Sequence, residues 1–464
     1  MSNVNLKASK ITPNEIGGQG KWWLPTSPGK TVTGILTYTP TAGGVLEILG
    51  SLEPIAGTEF DSIIFGEIKG KLYTLDHGFR TQELEVFPSP SSEETWMCTT
   101  IFRGAHLPNA SLTVFSSCEI ETQLFQGWVY RPRPLITSRT RTKLRTSIET
   151  PSSLAANLVN GRNLTFQWRR SYNVGLLEVS ADVTPLMRVT QVNESLYWIH
   201  DELITPLIYL ITFCMGSPDS VSRLTVTFED HELNAITPIE VFEMRSRPSN
   251  QRNVPLSPHE HMIQLSEVET RFENFINDWF SLYSGSKYAF MDYFATLFNE
   301  GMYAEEMFLR IIRSLESWHT NHNKGMKSSD YSVIRRILRS MKTVLPPHEL
   351  KLIEDKLNQF NGPSLRERLV VLINNTEIDI RTFLTAKKDF VVLCLATRNR
   401  FTHHSIKRKV FEGEDLYWAE QFLTAIFICE VMAKLSLSKA EIQRNLQRSR
   451  FGRLIDSKIQ KTWP

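Results

Sequence analysis

Two textures divide the chain. From about Lys21 to about Met244 apolar residues come in short runs cut by Gly, Pro, Ser and Thr. Residues 31–38 (TVTGILTY) and 44–49 (GVLEIL) are rich in β-branched and large apolar side chains, which suit a half-buried pleated surface. Residues 63–68 and 71–75 flank Lys69-Gly70, a pattern that predicts a hairpin. Further strands are expected at 96–102, 111–115, 163–168 and 224–228. Many short strands joined by turn residues predict a β-sandwich or a curved antiparallel sheet. One helix is expected among them, with Asp201 capping residues 203–215 and Gly216 ending it.

Residues 246–261 (SRPSNQRNVPLSPHEH) read as a linker, because Pro and polar residues continue neither periodicity. Beyond them the spacing is helical. Phe272, Phe275, Trp279 and Phe280 share one face of a helix over 267–284. Further helices are expected at 287–299, 303–319, 331–344, 348–360, 365–374, 380–401, 415–435 and 439–450. Ser364 and Glu367 form a capping-box signature for the 365–374 helix, and Gly362-Pro363 stops the one before it. The expected fold class is therefore α+β multidomain. A β-rich N-terminal domain with sandwich-like antiparallel sheets (1–245) precedes the linker (246–261) and an all-α bundle (262–464).

Composition narrows the function. The 464 residues are 41% hydrophobic and 22% charged, which excludes a disordered, collagenous or disulfide-dense chain. The five cysteines are scattered without a CxxC, so neither a zinc ribbon nor a redox motif is supported. The N-terminal stretch has no apolar core, and the longest strongly apolar run (203–215) is too short for a membrane span. A soluble, reduced, cytoplasmic protein with no membrane partner is expected. Overall charge is only +2, yet residues 381–464 carry a net +8 and the rest a net −6. That basic end is either a solvated helix face or a footprint for a polyanion. Within it Arg400, Lys407, Arg408 and Lys409 are candidate RNA contacts.

The densest chemistry lies in Leu395-Ala-Thr-Arg-Asn-Arg-Phe-Thr-His-His404, where a buried-helix pattern turns abruptly polar. Asn399 and His403 are four apart and share a helix face, with Arg398 about 100° around the axis. Arginine grips phosphate oxygens bidentately, and histidine exchanges protons near neutral pH. Such a set suits phosphodiester cleavage by a ribose 2′-OH, which needs proton shuttling and anion stabilisation but no metal or cofactor. The plainer reading is that cations at a helix C-terminus complement its dipole. Other candidates are weaker. His259 and His261 fall in the linker, and Glu316, His319 and His322 lack a fourth zinc partner. Trp22-Trp23 suits a core or interface better than a base-stacking platform.

Residues 398–403 resemble the Arg-(four to six residues)-His motif of HEPN ribonucleases, in its Arg-Asn-x-x-x-His form. Residues 308–319 (FLRIIRSLESWH), 364–373 (SLRERLVVLI) and 416–420 (LYWAE) resemble the other helices of the ApeA-like HEPN group. Residues 20–36, 46–52 and 64–75 look like the N-terminal domain of ApeA anti-phage proteins. The resemblance implies an all-helical HEPN module that dimerises. It also implies a metal-independent endoribonuclease used in abortive infection, with a sensor or regulatory N-terminal domain and a phage-derived trigger. By position, His403 would be the acid/base, Arg398 would hold the scissile phosphate, and Asn399 would orient His403 or the phosphate. Glu316 would orient Arg398 or be a plain structural carboxylate. The family often has an aromatic after the motif histidine, where this chain has His404. Spacing admits either histidine, and the Asn399–His403 geometry favours His403. The other function class is a non-catalytic helical module that binds nucleic acid or a protein.

Overall fold

The computed structural model describes residues 16–52, 62–86, 91–129, 136–139, 144–147, 151–174, 179–230, 235–244, 257–299, 301–342, 344–358, 362–376, 378–386, 389–403 and 409–460. It divides into a β-rich unit within Met1–Thr212 and Asp219–Pro255 and a helical unit within Phe213–Pro218 and Leu256–Pro464.

The β-rich unit holds strands β1 (Gly17–Trp23), β2 (Val32–Thr39), β3 (Gly43–Leu49), β4 (Ser62–Ile68), β5 (Lys71–Val86), β6 (Ser91–Cys98), β7 (Thr100–Arg103) and β8 (Val114–Thr122). They are followed by β9 (Ile136–Arg139), β10 (Leu144–Ser147), β11 (Leu154–Asn157), β12 (Asn163–Val174), β13 (Val179–Ser195), β14 (Val221–Asp230) and β15 (Ala235–Glu243). Thirteen of them form one sheet in the order β11-β12-β13-β8-β14-β15-β7-β5-β4-β1-β2-β3-β6, and β9 pairs with β10 apart from it. A further β5–β6 pairing closes β1 to β6 into a barrel. The curved antiparallel sheet is thus realised as a closed barrel continued by an open sheet. Closure removes the edges that a six-stranded sheet would otherwise expose.

Local chemistry explains the details. Lys69 and Gly70 both take positive φ (50° and 78°), the geometry of the two-residue turn that joins β4 to β5. The expected single strand at 96–102 is broken at Thr99 into β6 and β7. There the β5 ribbon bends at His77 (φ 53°), and β7 leaves the barrel to pair with β15. Residues 111–115 are not all strand: Ala110–Leu112 is a 3-10 turn whose Leu112 N–H donates to the Asn109 side chain (3.2 Å). Trp22 fills the barrel, fully buried, with Nε1 donating to the Gly34 carbonyl (3.2 Å). Leu36, Leu46, Ile48, Ile64 and Trp96 belong to the same core. The helical stretch of this half starts earlier than expected, capped by Ser195 rather than Asp201. After α1 (Phe125–Val129), it runs as α2 (Leu196–Ile199), a π-turn at His200–Ile204 and α3 (Thr205–Met215). The π-turn widens the backbone just ahead of Pro206, which has no N–H to give.

The helical unit contains α4 (Leu265–Val268), α5 (Phe272–Gly285), α6 (Lys287–Phe298), α7 (Ala304–His322), α8 (Tyr331–Met341) and α9 (Pro347–Asn358). It continues with α10 (Leu365–Asn375), α11 (Ile378–Ala386), α12 (Phe390–His403), α13 (Gly413–Lys434), α14 (Lys439–Arg448) and α15 (Arg450–Gln460). The Ser364–Glu367 capping box forms as expected. The single helix expected over 380–401 is two helices. Leu393 N–H closes on the Asp389 carbonyl (2.8 Å), so Asp389 opens α12 at a place where no Gly or Pro announces a break. Helix α15 was not expected; it packs so closely on α14 that a Cβ at Gly452 would lie 1.7 Å from the Leu446 carbonyl oxygen.

Helix α13 is long and apolar enough to cross a membrane, but it is buried inside this unit. Phe427 on it meets Phe290, Tyr293 and Trp318 at ring-centroid distances of 4.8–5.9 Å. Each such ring contributes about 1.5–3 kcal/mol when removed from water. Burial there raises the pKa of Glu430, whose carboxylate accepts from Trp318 Nε1 (3.1 Å).

Candidate active site

Helix α12 sets the candidate residues at its end. Phe390, Cys394 and Thr397 are buried on one side, and Phe401 makes an edge contact with Phe308 of α7 (6.3 Å). The Thr397 hydroxyl accepts from the Phe411 N–H (2.9 Å), which ties the returning chain to the helix. The last turn therefore starts from a fixed base while its own side chains reach solvent.

On that turn Arg398 Nη1 donates to Asn399 Oδ1 (3.2 Å). Arg398 and Asn399 are half-buried and His403 is exposed. The Thr402 hydroxyl donates to the Arg398 carbonyl (2.9 Å), satisfying one acceptor that a helix C-terminus leaves open. Arg398, Asn399 and His403 are thus brought together, but through Arg398–Asn399. Among the described residues no side-chain hydrogen bond joins Asn399 to His403. Asn399 orients the guanidinium rather than the imidazole.

The basic candidates separate. Arg400 is paired with Glu412 (2.6 Å), an exposed ion pair of little worth in water. Arg398 has no carboxylate partner among the described residues. Lys409 is exposed. His404, Lys407 and Arg408 lie outside the described residues. Glu316 is half-buried on α7, eight residues (about 12 Å) along the helix from Phe308. No hydrogen bond or ion pair joins it to Arg398; its carbonyl accepts from Arg368 (3.2 Å). The structure therefore shows no direct pairing of Glu316 with Arg398.

Two further histidine candidates lie on α7. His319 is buried, its ring nitrogens lack partners among the described residues, and burial lowers its pKa. His322 stacks on Trp318 (4.0 Å) and its Nδ1 meets the Trp318 carbonyl (2.9 Å). No group of three metal-ligating side chains occurs among the described residues. Sequence reasoning missed Thr397 and Glu412. Their partners lie 14 and 12 residues away across a loop, beyond the reach of any periodicity.

Set against known families, residues 19–279 match the model of the ApeA N-terminal domain 1, and residues 309–441 match the model of the Apea-like HEPN domain. No curated protein and no solved structure matches the chain.

Proposed function

Because the chain belongs to the ApeA-like HEPN proteins, with an ApeA N-terminal domain 1 ahead of an ApeA-like HEPN module, we propose that it is a metal-independent endoribonuclease of anti-phage abortive infection. The observation that carries this reading is the Arg398 guanidinium, which has no carboxylate partner among the described residues and is aligned by Asn399 one turn from the exposed His403. In the reaction His403 removes the proton from a ribose 2′-OH. The oxygen attacks the adjacent phosphorus while Arg398 holds the non-bridging oxygens. The 5′-oxygen then leaves with a proton, and a 2′,3′-cyclic phosphate remains. Arg400 and Lys409, with Lys407 and Arg408, serve the RNA backbone around this point, and Arg400 exchanges Glu412 for phosphate. The N-terminal unit senses a phage-derived trigger, and the reaction runs in the cytoplasm.

Purified protein is expected to cut total RNA in EDTA and to leave 2′,3′-cyclic phosphate ends, read by end-specific sequencing. Strict dependence on Mg²⁺ or Zn²⁺ would defeat the mechanism. RNA that is bound but never cut would leave a non-catalytic module.

The described site offers one imidazole, whereas cleavage uses one group to take a proton and another to give one. A two-fold dimer with its axis beside α12 supplies the second. Helix α13 is covered by its own unit, so the dimer would use another surface. Mixing inactive Arg398→Ala and His403→Ala chains is expected to restore part of the cleavage. No recovery, with a monomeric mass by light scattering, would remove the shared site.

A further inference from the structure

We propose that the cationic face of α8 is a second grip for single-stranded RNA, remote from the α12 site; this rests on the RNA-cleaving reading above. Helix α8, Tyr331–Met341, contains no acidic residue. At 100° per residue, Arg335, Arg339 and the following Lys342 fall within a sector of about 60°, and Arg336 stands about 60° beyond its edge. Val333, Ile337 and Met341 lie on the opposite half, and Leu338 lies about 40° from Lys342, flanking the cationic sector. All four cations are exposed.

Their charges are little compensated. Arg336 and Arg339 have no ion pair among the described residues. Lys342 approaches Glu354 at 3.7 Å in an exposed pair, and such pairs yield readily to a stronger anion. Arg335 Nε donates to the Tyr331 hydroxyl (3.0 Å), and Lys327 sits over the same ring at 3.9 Å. This fifth cation extends the strip toward α7. Cations so close on one helix repel one another unless an anion of matching pitch lies across them.

The mount of this helix is defined. The Ser329 N–H donates to Glu367 (2.6 Å), the carboxylate that also caps α10, so the lead-in to α8 is tied to the bundle. Helix α8 follows α7 in the chain, and His322 ends α7 fourteen residues (about 20 Å) along the helix from Phe308, the residue that meets Phe401.

A basic amphipathic helix also fits an anionic lipid surface, for which its apolar half must face outward. Here the exposed apolar side chains opposite the cations are only Val333 and Ile337 (41% and 48%), the helix carries no Trp or Phe to insert, and Leu338 is 4% exposed. The cations outweigh that small apolar area, and this favours RNA.

The test uses the full chain with His403→Ala to prevent cutting. The probe is a labelled oligouridylate of about 20 nucleotides. Arg335→Gln, Arg336→Gln, Arg339→Gln and Lys342→Gln together keep helix propensity and remove four charges. At about 0.7 counterion per phosphate contact, the slope of log affinity against log salt should fall by about 3, with affinity at least ~10-fold weaker at 0.1 M salt. Circular dichroism and melting of the variant should match the parent. An unchanged slope and affinity, or failure of the parent to bind the probe, overturns the inference. Binding to phosphatidylserine vesicles that the four changes abolish, with RNA binding intact, overturns it in favour of a lipid surface. Cleavage by the unmutated chain is read separately. A chain that cuts RNA with an unaltered salt slope after the α8 changes loses only the grip, and one that binds through α8 without cutting loses only the nuclease reading.

Discussion

Replacing His403 by alanine is expected to slow RNA cleavage by about 10²–10⁴-fold, the usual loss when one general acid or base is removed. Stability should change by no more than about 0.5 kcal/mol, because the side chain is exposed and makes no hydrogen bond among the described residues. Arg398→Lys should also be slow although the charge is kept. A lysine can neither bind phosphate bidentately nor take up the alignment that Asn399 imposes on the guanidinium (3.2 Å). Both variants are measured by single-turnover cleavage beside a denaturant melt, so that loss of chemistry is separated from loss of fold. Full activity in His403→Ala together with loss in His404→Ala would transfer the acid/base role to the neighbouring histidine.

The second large effect concerns the barrel. Gly66→Ala is expected to destabilise the β-rich unit by about 3 kcal/mol, the upper end for forced overpacking. A Cβ at this position falls 2.1 Å from Trp22 Cε3, and the indole cannot retreat because it is fully buried and held by its bond to Gly34. Two terms compete. Alanine is easier than glycine to order in a strand by about 0.5–1 kcal/mol, but the clash is larger and sets the sign. A urea melt of the full chain followed by near-UV tryptophan dichroism should show an earlier transition. An unchanged midpoint would mean that the Trp22 ring shifts at little cost.

Much of the local structure was legible in consecutive residues. The Lys69-Gly70 turn needs two positive φ angles, and it forms between strands that the β-branched pattern had already marked. Ser364 and Glu367 are three residues apart and cap α10 by bonds that depend on nothing outside that turn. The abrupt change from Phe390–Leu395 to Arg398, Asn399 and His403 marked the candidate site, because an apolar run followed by cations describes a helix entering solvent. The family resemblance added roles to residues whose spacing alone left a plain dipole-complementing reading open.

Other features were decided only by tertiary structure, since their partners are distant in the chain. Closure of the barrel depends on β6 pairing with both β3 and β5, and no property of residues 91–98 names those partners. The apolar circumference of α13 could have served a membrane, a dimer or a core; the surrounding helices make it the core. Arg398 and Arg400 look equivalent as letters. Only tertiary structure pairs Arg400 with Glu412 and leaves Arg398 without a carboxylate partner among the described residues. Glu316 shares a helix pattern with the motif, yet it sits about 12 Å along α7 from the ring contact between Phe308 and Phe401. Turns, caps and helix faces are set by interactions over at most four residues, which a sequence displays directly. Ion pairing, sheet closure and the burial of an apolar helix depend on groups that the chain brings together only by folding.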